Sequence, residues 1–333
     1  MFSSPRLPLT GAILLATCAL CFATLLSLTT GARAIPASEV WHALMEPSSN
    51  PVSTIVWDRR IPRTLVALIA GICLGIAGAL VQALTRNPLA DTGVLGINSG
   101  AAFAIVAGLA LGLPDTSLML FGLALLGAGV TGLGVYLLSR GKGSGADPVR
   151  LVLVGVAISA ILGGIGDGLA LVNPQAFDRL HAWMVGHVDV GSYQPVYLGV
   201  IGLVIGLIPA AASIRGLGAL QLGQEMATAL GAQLARTRMM AFAAILVLAA
   251  VATATAGVIV FLGLLVPHIA RWLVGPSFGR ILALSSLLGP LVLVTADVCG
   301  RLLLPGEFPA GVVVSFVGAP FLIAYAQQRQ KGI

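Results

Sequence analysis

The segment 57–80, WDRRIPRTLVALIAGICLGIAGAL, sets Arg59, Arg60 and Arg63 at the mouth of a long apolar run. Guanidinium groups in such a place can pair with acidic groups or anchor a helix end among lipid headgroups. Two carboxylates, Asp167 and Asp297, stand inside apolar runs, where a carrier coupled to an ion gradient would keep its ionisable groups. Asp297 lies four residues before Arg301, so an ion pair along one helix face accounts for it. Asp167 sits near the end of its run, where lining a mouth, packing between helices and contacting a substrate are all open. A proton relay therefore has little to stand on. Hydrolytic and nucleotide-binding signatures are missing: there is no H-E-x-x-H, and GKGSG at 141–145 lacks the P-loop spacing. The four histidines (His42, His181, His187 and His268) are too scattered for a metal site, and no cofactor is implied. Cys18 and Cys21 form a C-x-x-C with no second ligand pair, and with Cys73 and Cys299 they read as small packing residues.

The elements that hold these residues are apolar. The 333 residues are 58% hydrophobic and only 9% charged, against the roughly one-quarter charged residues of a soluble domain. Apolar runs of about twenty residues recur from end to end without the alternation of a β-barrel, which predicts an all-α polytopic membrane protein forming one domain over 1–333. Ten spans are expected, at about 9–30, 62–84, 93–112, 116–138, 151–172, 193–213, 239–257, 258–275, 281–304 and 309–326. The first resembles a signal peptide ending in the A-x-A of 32–34, but its apolar stretch is long and an uncleaved helix is favoured. Phe177, Leu180, Met184 and Val188 recur at helical spacing, predicting a short surface helix. Gly71, Gly75 and Gly78, and likewise Gly163, Gly164 and Gly168, form small stripes suited to close helix packing.

Of the 18 Lys and Arg, twelve fall on the side of the termini: Arg6, Arg86, Arg140, Lys142, Arg150, Arg215, Arg236, Arg238, Arg271, Arg280, Arg329 and Lys331. Arg33, Arg59, Arg60, Arg63, Arg179 and Arg301 fall opposite. The positive-inside bias puts both termini in the cytoplasm and the opening arginines on the outer face. Basic residues dispersed as ones and twos between spans set topology and do not form a nucleic-acid surface.

Three ordered blocks, RRIPRTLVALIAGICLGIAGALVQALTRNPLADTGVLGINSGAAFAIV at 59–106, FLGLLVPHIAR at 261–271 and ADVCGRLLLPGEFPAGVVVSFVGAPFLI at 296–323, resemble the FecCD-type permeases. These are membrane subunits of bacterial importers driven by ATP-binding-cassette (ABC) ATPases, for iron–siderophore complexes and vitamin B12. The resemblance covers nearly the whole chain. It implies a type II ABC importer permease of ten helices in the inner membrane, paired with an identical or paralogous second permease. It also implies two cytoplasmic ATPases below, which do the hydrolysis, and a soluble periplasmic or extracellular substrate-binding protein above.

The resemblance also assigns residues. Arg60, Arg63 and Arg301 correspond to arginines that meet glutamates on the binding protein's two lobes, whereas Arg59 has no counterpart and reads as a headgroup anchor. Within the polar stretch 215–238, EMATALG places Gly231 six residues after Glu225, which implies an ATPase-coupling segment with Glu225, Ala227 and Gly231. There Ala and Gly give a low-relief face, and Gly231 allows the turn that ends the segment's first helix. RNPLAD at 86–91 implies a cytoplasmic gate at Asn87 and Leu89. A second family gate, built from small hydroxyl residues, is not carried over, because Asp147, Pro148 and Val149 stand there. The implied cargo is a ferric siderophore of the enterobactin kind, with vitamin B12 or haem in the same machine as the alternative. A gradient-driven secondary carrier is the competing class.

Overall fold

The computed structural model describes residues 7–31, 34–47, 50–141, 145–303 and 307–330. Arg6, Arg33, Lys142 and Lys331 of the charge count lie outside them, as do two residues of the 32–34 A-x-A. Backbone amides in a bilayer must be satisfied within the segment, so apolar runs of this length fold as helices. Helices α1 (Leu9–Thr29), α2 (Ala37–Met45) and α3 (Pro51–Ile55) come first. A π-turn over Val56–Arg60 then leads without a break into α4 (Ile61–Thr85). A 3₁₀ turn at Thr92–Leu95 precedes α5 (Ile97–Ala110), and α6 (Ser117–Leu138), α7 (Pro148–Val172) and the short α8 (Pro174–Met184) follow. The chain continues with α9 (Gln194–Leu220), α10 (Gln224–Ala229), α11 (Leu234–Ala256), α12 (Leu262–Val274), α13 (Phe278–Leu303) and α14 (Ala310–Gln330). Among the described residues, seven helical segments are long and apolar enough to cross a bilayer, and three shorter apolar ones (α5, α12 and most of α14) bring the total to the ten expected. The only strand pairing among the described residues is a two-residue one, Arg140↔Ala146 and Gly141↔Gly145.

Local chemistry sets several helix starts. Asp147 accepts the N–H groups of Val149 and Arg150 at 2.8 and 3.1 Å, with Pro148 at the first helical position of α7. Asn173 caps α8 through Ala176 N–H at 3.1 Å, again followed by a proline.

Helix α4 is the hub, packed chiefly against α13 and α11 and also against α9 and α12. Its glycine stripe makes that possible. A side chain at Gly71 would overlap Pro290 of α13, one at Gly75 the Ser285 carbonyl, and one at Gly78 the backbone of Gly263 in α12. The second stripe behaves otherwise: nothing lies within 4 Å of a Cβ placed at Gly163, Gly164 or Gly168. Helix α7 thus packs through other residues, and the expected close approach is absent among the described residues. Likewise Cys73 is buried, but Cys18, Cys21 and Cys299 are exposed.

Two boundaries differ from expectation. Helix α9 runs seven residues beyond the expected end at 213, because Leu217 and Leu220 are buried and Gly216 seats against Thr237 of α11. The span expected at 258–275 is helical only over Leu262–Val274, about 20 Å of helix at 1.5 Å per residue. Gly199 contacts both Ile69 and Thr255, so the end of α11 lies level with Ile69, whereas Gly263 lies level with Gly78. Residues 257–261 therefore descend about 13 Å along α4 without helical bonding. Such backbone is tolerated at membrane depth only when enclosed by protein. Here Gly257 lies against the Trp183 carbonyl, and Gly186 against that of Val258.

Candidate functional site

Arg60 ends the π-turn, Arg63 lies in the first turn of α4, and Asp297 and Arg301 occupy consecutive turns near the end of α13. Close packing of α4 on α13 brings these four together. Arg63 donates through Nε and Nη2 to Asp297 Oδ1, at 3.0 and 2.8 Å, and through Nη1 to Glu307 Oε2 at 2.6 Å. Arg301 donates from Nε to Asp297 Oδ2 at 3.0 Å and pairs with the same oxygen through Nη2. The i,i+4 pair read from the sequence is present, but its carboxylate is shared with an arginine from another helix.

The same arginines fasten α1. Arg301 Nη1 donates to the carbonyls of Ser27 and Thr30 at 2.8 and 3.1 Å, and Nη2 to Ser27 Oγ at 2.8 Å. Arg60 Nη1 donates to Leu28 O at 2.5 Å, and the hydroxyls of Ser27 and Thr64 bond at 2.8 Å. Arg60, Arg301 and Asp297 are only 5%, 7% and 1% exposed. Such groups differ from rim charges: removing one partner of a buried pair typically costs about 3–5 kcal/mol, against about 0.2–1 kcal/mol for an exposed pair.

Above this network lies a cavity of about 310 Å³ lined by Arg59, Arg60, Arg63, Arg301, Asp189 and Glu307 among others. Four arginines face two rim carboxylates, with Asp297 beneath as a third, so the cavity is cationic. Arg63 is the member in contact with both rim carboxylates, as Asp189 stands 3.9 Å from its Nη1. Arg59, expected to be an anchor alone, also lines this cavity; its sequence context carries no signal for that. Next to it, burial lowers the pKa of His187 below the ordinary imidazole value, with Asp189 opposing the shift and Arg63 adding to it. Asp167 is on neither this cavity nor the network, and its side chain is exposed on α7.

At the other end of the bundle stand the remaining candidates. Helix α10 is six residues long, with Glu225 exposed in its first turn and Ala227 fully buried. Ala227 thus holds α10 onto the bundle and offers no face to a partner, while Leu222, Met226 and Leu230 project outward at i, i+4 and i+8. Gly231 has φ +80°, its N–H bonds Thr228 O at 2.9 Å, and Ala232 N–H bonds Ala227 O at 2.9 Å. This is the Schellman arrangement, which demands the left-handed conformation glycine adopts freely. Asn87 and Leu89 share one tight turn: Asn87 Oδ1 accepts Leu89 N–H at 3.0 Å, and Ala90 N–H bonds Asn87 O at 3.1 Å around Pro88. Asp91 follows the turn and reaches across the bundle, where a Cβ placed at Gly263 in the first turn of α12 would lie 2.8 Å from its Oδ1. The sequence placed Asn87 and Leu89 together, whereas the approach of Asp91 to Gly263 spans too many residues for any local pattern to reveal.

The model of the FecCD transport family matches residues 19–328. The chain belongs to this family. It is 44% identical to the ferric enterobactin transport system permease protein FepD of Escherichia coli K12 over 313 residues, 94% of each chain. It is 35% identical to the iron(3+)-hydroxamate import system permease protein FhuB of Bacillus subtilis 168, covering 95% of this chain and 83% of that one. Among solved structures, it superposes on an inward-facing structure described as a metal-chelate type ABC transporter. The TM-score is 0.82 at 23% identity, over 96% of this chain and 99% of the other, which fixes the fold as that of this transporter class. As a FecCD-family permease, the chain is a multi-pass membrane transport subunit.

Proposed function

We propose that the chain is the membrane-spanning subunit of an ABC importer that carries a ferric siderophore of the enterobactin kind across the cytoplasmic membrane. The observation that carries the cargo is the 44% identity to the ferric enterobactin permease over 94% of both chains. In this reading both termini are cytoplasmic, a second permease completes the path, and two ATPases supply the energy. A binding protein delivers the chelate at the outer face, where acidic groups on its lobes meet the cationic cavity of Arg60, Arg63 and Arg301. Glu225 and Gly231 set the geometry through which α10 transmits ATPase motion, Ala227 fixes that helix to the bundle, and the turn of Asn87 and Leu89 narrows the exit.

The packing supports a mechanical role for these parts. Helix α4 carries Arg63 at one end and the Asn87 turn at the other, and it touches α9, α11, α12 and α13 between them. A displacement of α10, which is attached to α9 and α11, therefore reaches α4 through packed helices without a mobile charge in the membrane. The test is uptake of iron-55-labelled ferric enterobactin in a strain deleted for this chain. Restoration by the chain together with its ATPase supports the reading; restoration alongside an ATPase unable to hydrolyse ATP contradicts it.

A further inference from the structure

A cavity of about 580 Å³, distinct from the outer one, opens where α4 and α9 end and α13 begins. Among the described residues, its charged lining is Arg86 and Arg271, with no carboxylate. Both guanidinium groups are held in place. Arg86, which ends α4 in the left-handed conformation at φ 53°, donates through Nη2 to Leu220 O at 2.9 Å. Arg271 Nη2 donates to Gln82 Oε1 at 3.2 Å, and Gln82, 3% exposed, donates its own amide to Leu264 O at 3.2 Å. The buried amide thus has its orientation set by the backbone, and its oxygen aims Arg271.

The first turn of α13, through Phe278 and Ile281, forms another wall. That end of a helix presents positive partial charge and backbone donors. Ala79, Ala83 and Leu222 supply apolar surface beside the charge. Satisfying the terminal carbonyl of α9 accounts for one bond of Arg86, but not for a second guanidinium oriented by a buried glutamine in the same cavity.

We propose that this cavity is a binding site for a phosphate-bearing anion, with the headgroup of an anionic phospholipid as its occupant in the membrane. Arginine suits this ligand because its fork matches two phosphate oxygens, and apolar walls at the ends of spans accommodate the glycerol and first methylenes. Because Gln221, Leu222 and Gly223 form one side of the cavity and lead directly into α10, an occupant would bear on the position of that helix.

The test is native mass spectrometry of the full chain released from nanodiscs of phosphatidylglycerol or of phosphatidylcholine, with inorganic phosphate and glycerol 1-phosphate as soluble competitors. Wild type should retain phosphatidylglycerol selectively, and the double variant Arg86→Gln, Arg271→Gln should lose about tenfold in retention, one to two charge-assisted contacts. Arg150→Gln, which removes an exposed charge outside the cavity, should change nothing. Competition by either soluble anion would show that phosphate alone suffices, and no competition would show that the lipid is required; both support the site. Ala83→Phe, which fills the cavity and leaves both arginines in the sequence, should lower retention likewise and guards against misfolding of the double variant. Equal retention by wild type, the double variant and Ala83→Phe overturns the proposal. So does unchanged retention with a loss of ATPase binding, which would make the cavity a socket for an acidic side chain of that partner.

Discussion

Asp297 is the residue on which the outer network turns, because two arginines from different helices share its carboxylate inside the protein. Asp297→Ala should therefore destabilise the chain by about 3–5 kcal/mol, read as a lowered midpoint of thermal unfolding in detergent. A change below about 1 kcal/mol would mean that Arg63 and Arg301 find water or other partners. The neighbouring Glu307 has the opposite role in the proposed docking, since it occupies the Nη1 edge of Arg63 that a binding-protein carboxylate would use. Glu307→Gln should tighten docking by up to about fivefold, the worth of one partly exposed pair, and the gain should shrink as salt rises. Weaker docking would show that Glu307 positions Arg63 rather than competing for it. The Asp297–Arg301 pair was legible in the sequence because four residues make one helical turn. The share taken by Arg63 was not, because 234 residues separate it from Asp297 and only the approach of α4 to α13 joins them. The burial of Arg60 and Arg301 was hidden for the same reason.

Among the elements, the two glycine stripes look alike in sequence and act differently in space. Gly75 lies directly on the Ser285 carbonyl, while Gly168 has nothing within 4 Å. Gly75→Ala should push α4 from α13 and cost on the order of 1–3 kcal/mol or more, whereas Gly168→Ala should leave the isolated chain as stable as before or slightly more so. Thermal unfolding of both variants checks this, and equal effects would contradict the packing described. At α10 the decisive feature is conformation and not space, since Gly231 has open surroundings but φ +80°. Gly231→Pro cannot adopt that angle and should uncouple uptake from ATP hydrolysis while the chain still inserts. The long apolar helices were readable from hydropathy, whereas the short α2 and α3 were not. The non-helical descent at 257–261 was not, because its residues are as apolar as those of the helices it joins, and enclosure by Trp183 and Gly186 decides its shape.

For the whole molecule, the ten-span order was legible because apolar runs and the charged turns between them are long-range statistics of the chain. The cytoplasmic placing of the termini remains the reading of a charge count. Cysteines introduced at Glu46 and at Val149, both exposed, should react with impermeant reagent from opposite sides of the membrane in a background without native cysteines. Reaction of both from outside would remove one crossing and reverse the second half of the chain.

The most direct test of the central claim is transport in proteoliposomes holding the chain, its partner permease and ATPase, with binding protein and iron-55-labelled ferric enterobactin outside. The account predicts accumulation only when ATP is enclosed and the binding protein is present. It also predicts that Arg60→Glu, Arg63→Glu chains, selected for normal insertion, fail to accumulate the chelate. Accumulation driven by a proton or sodium gradient with no ATPase in the membrane would contradict it.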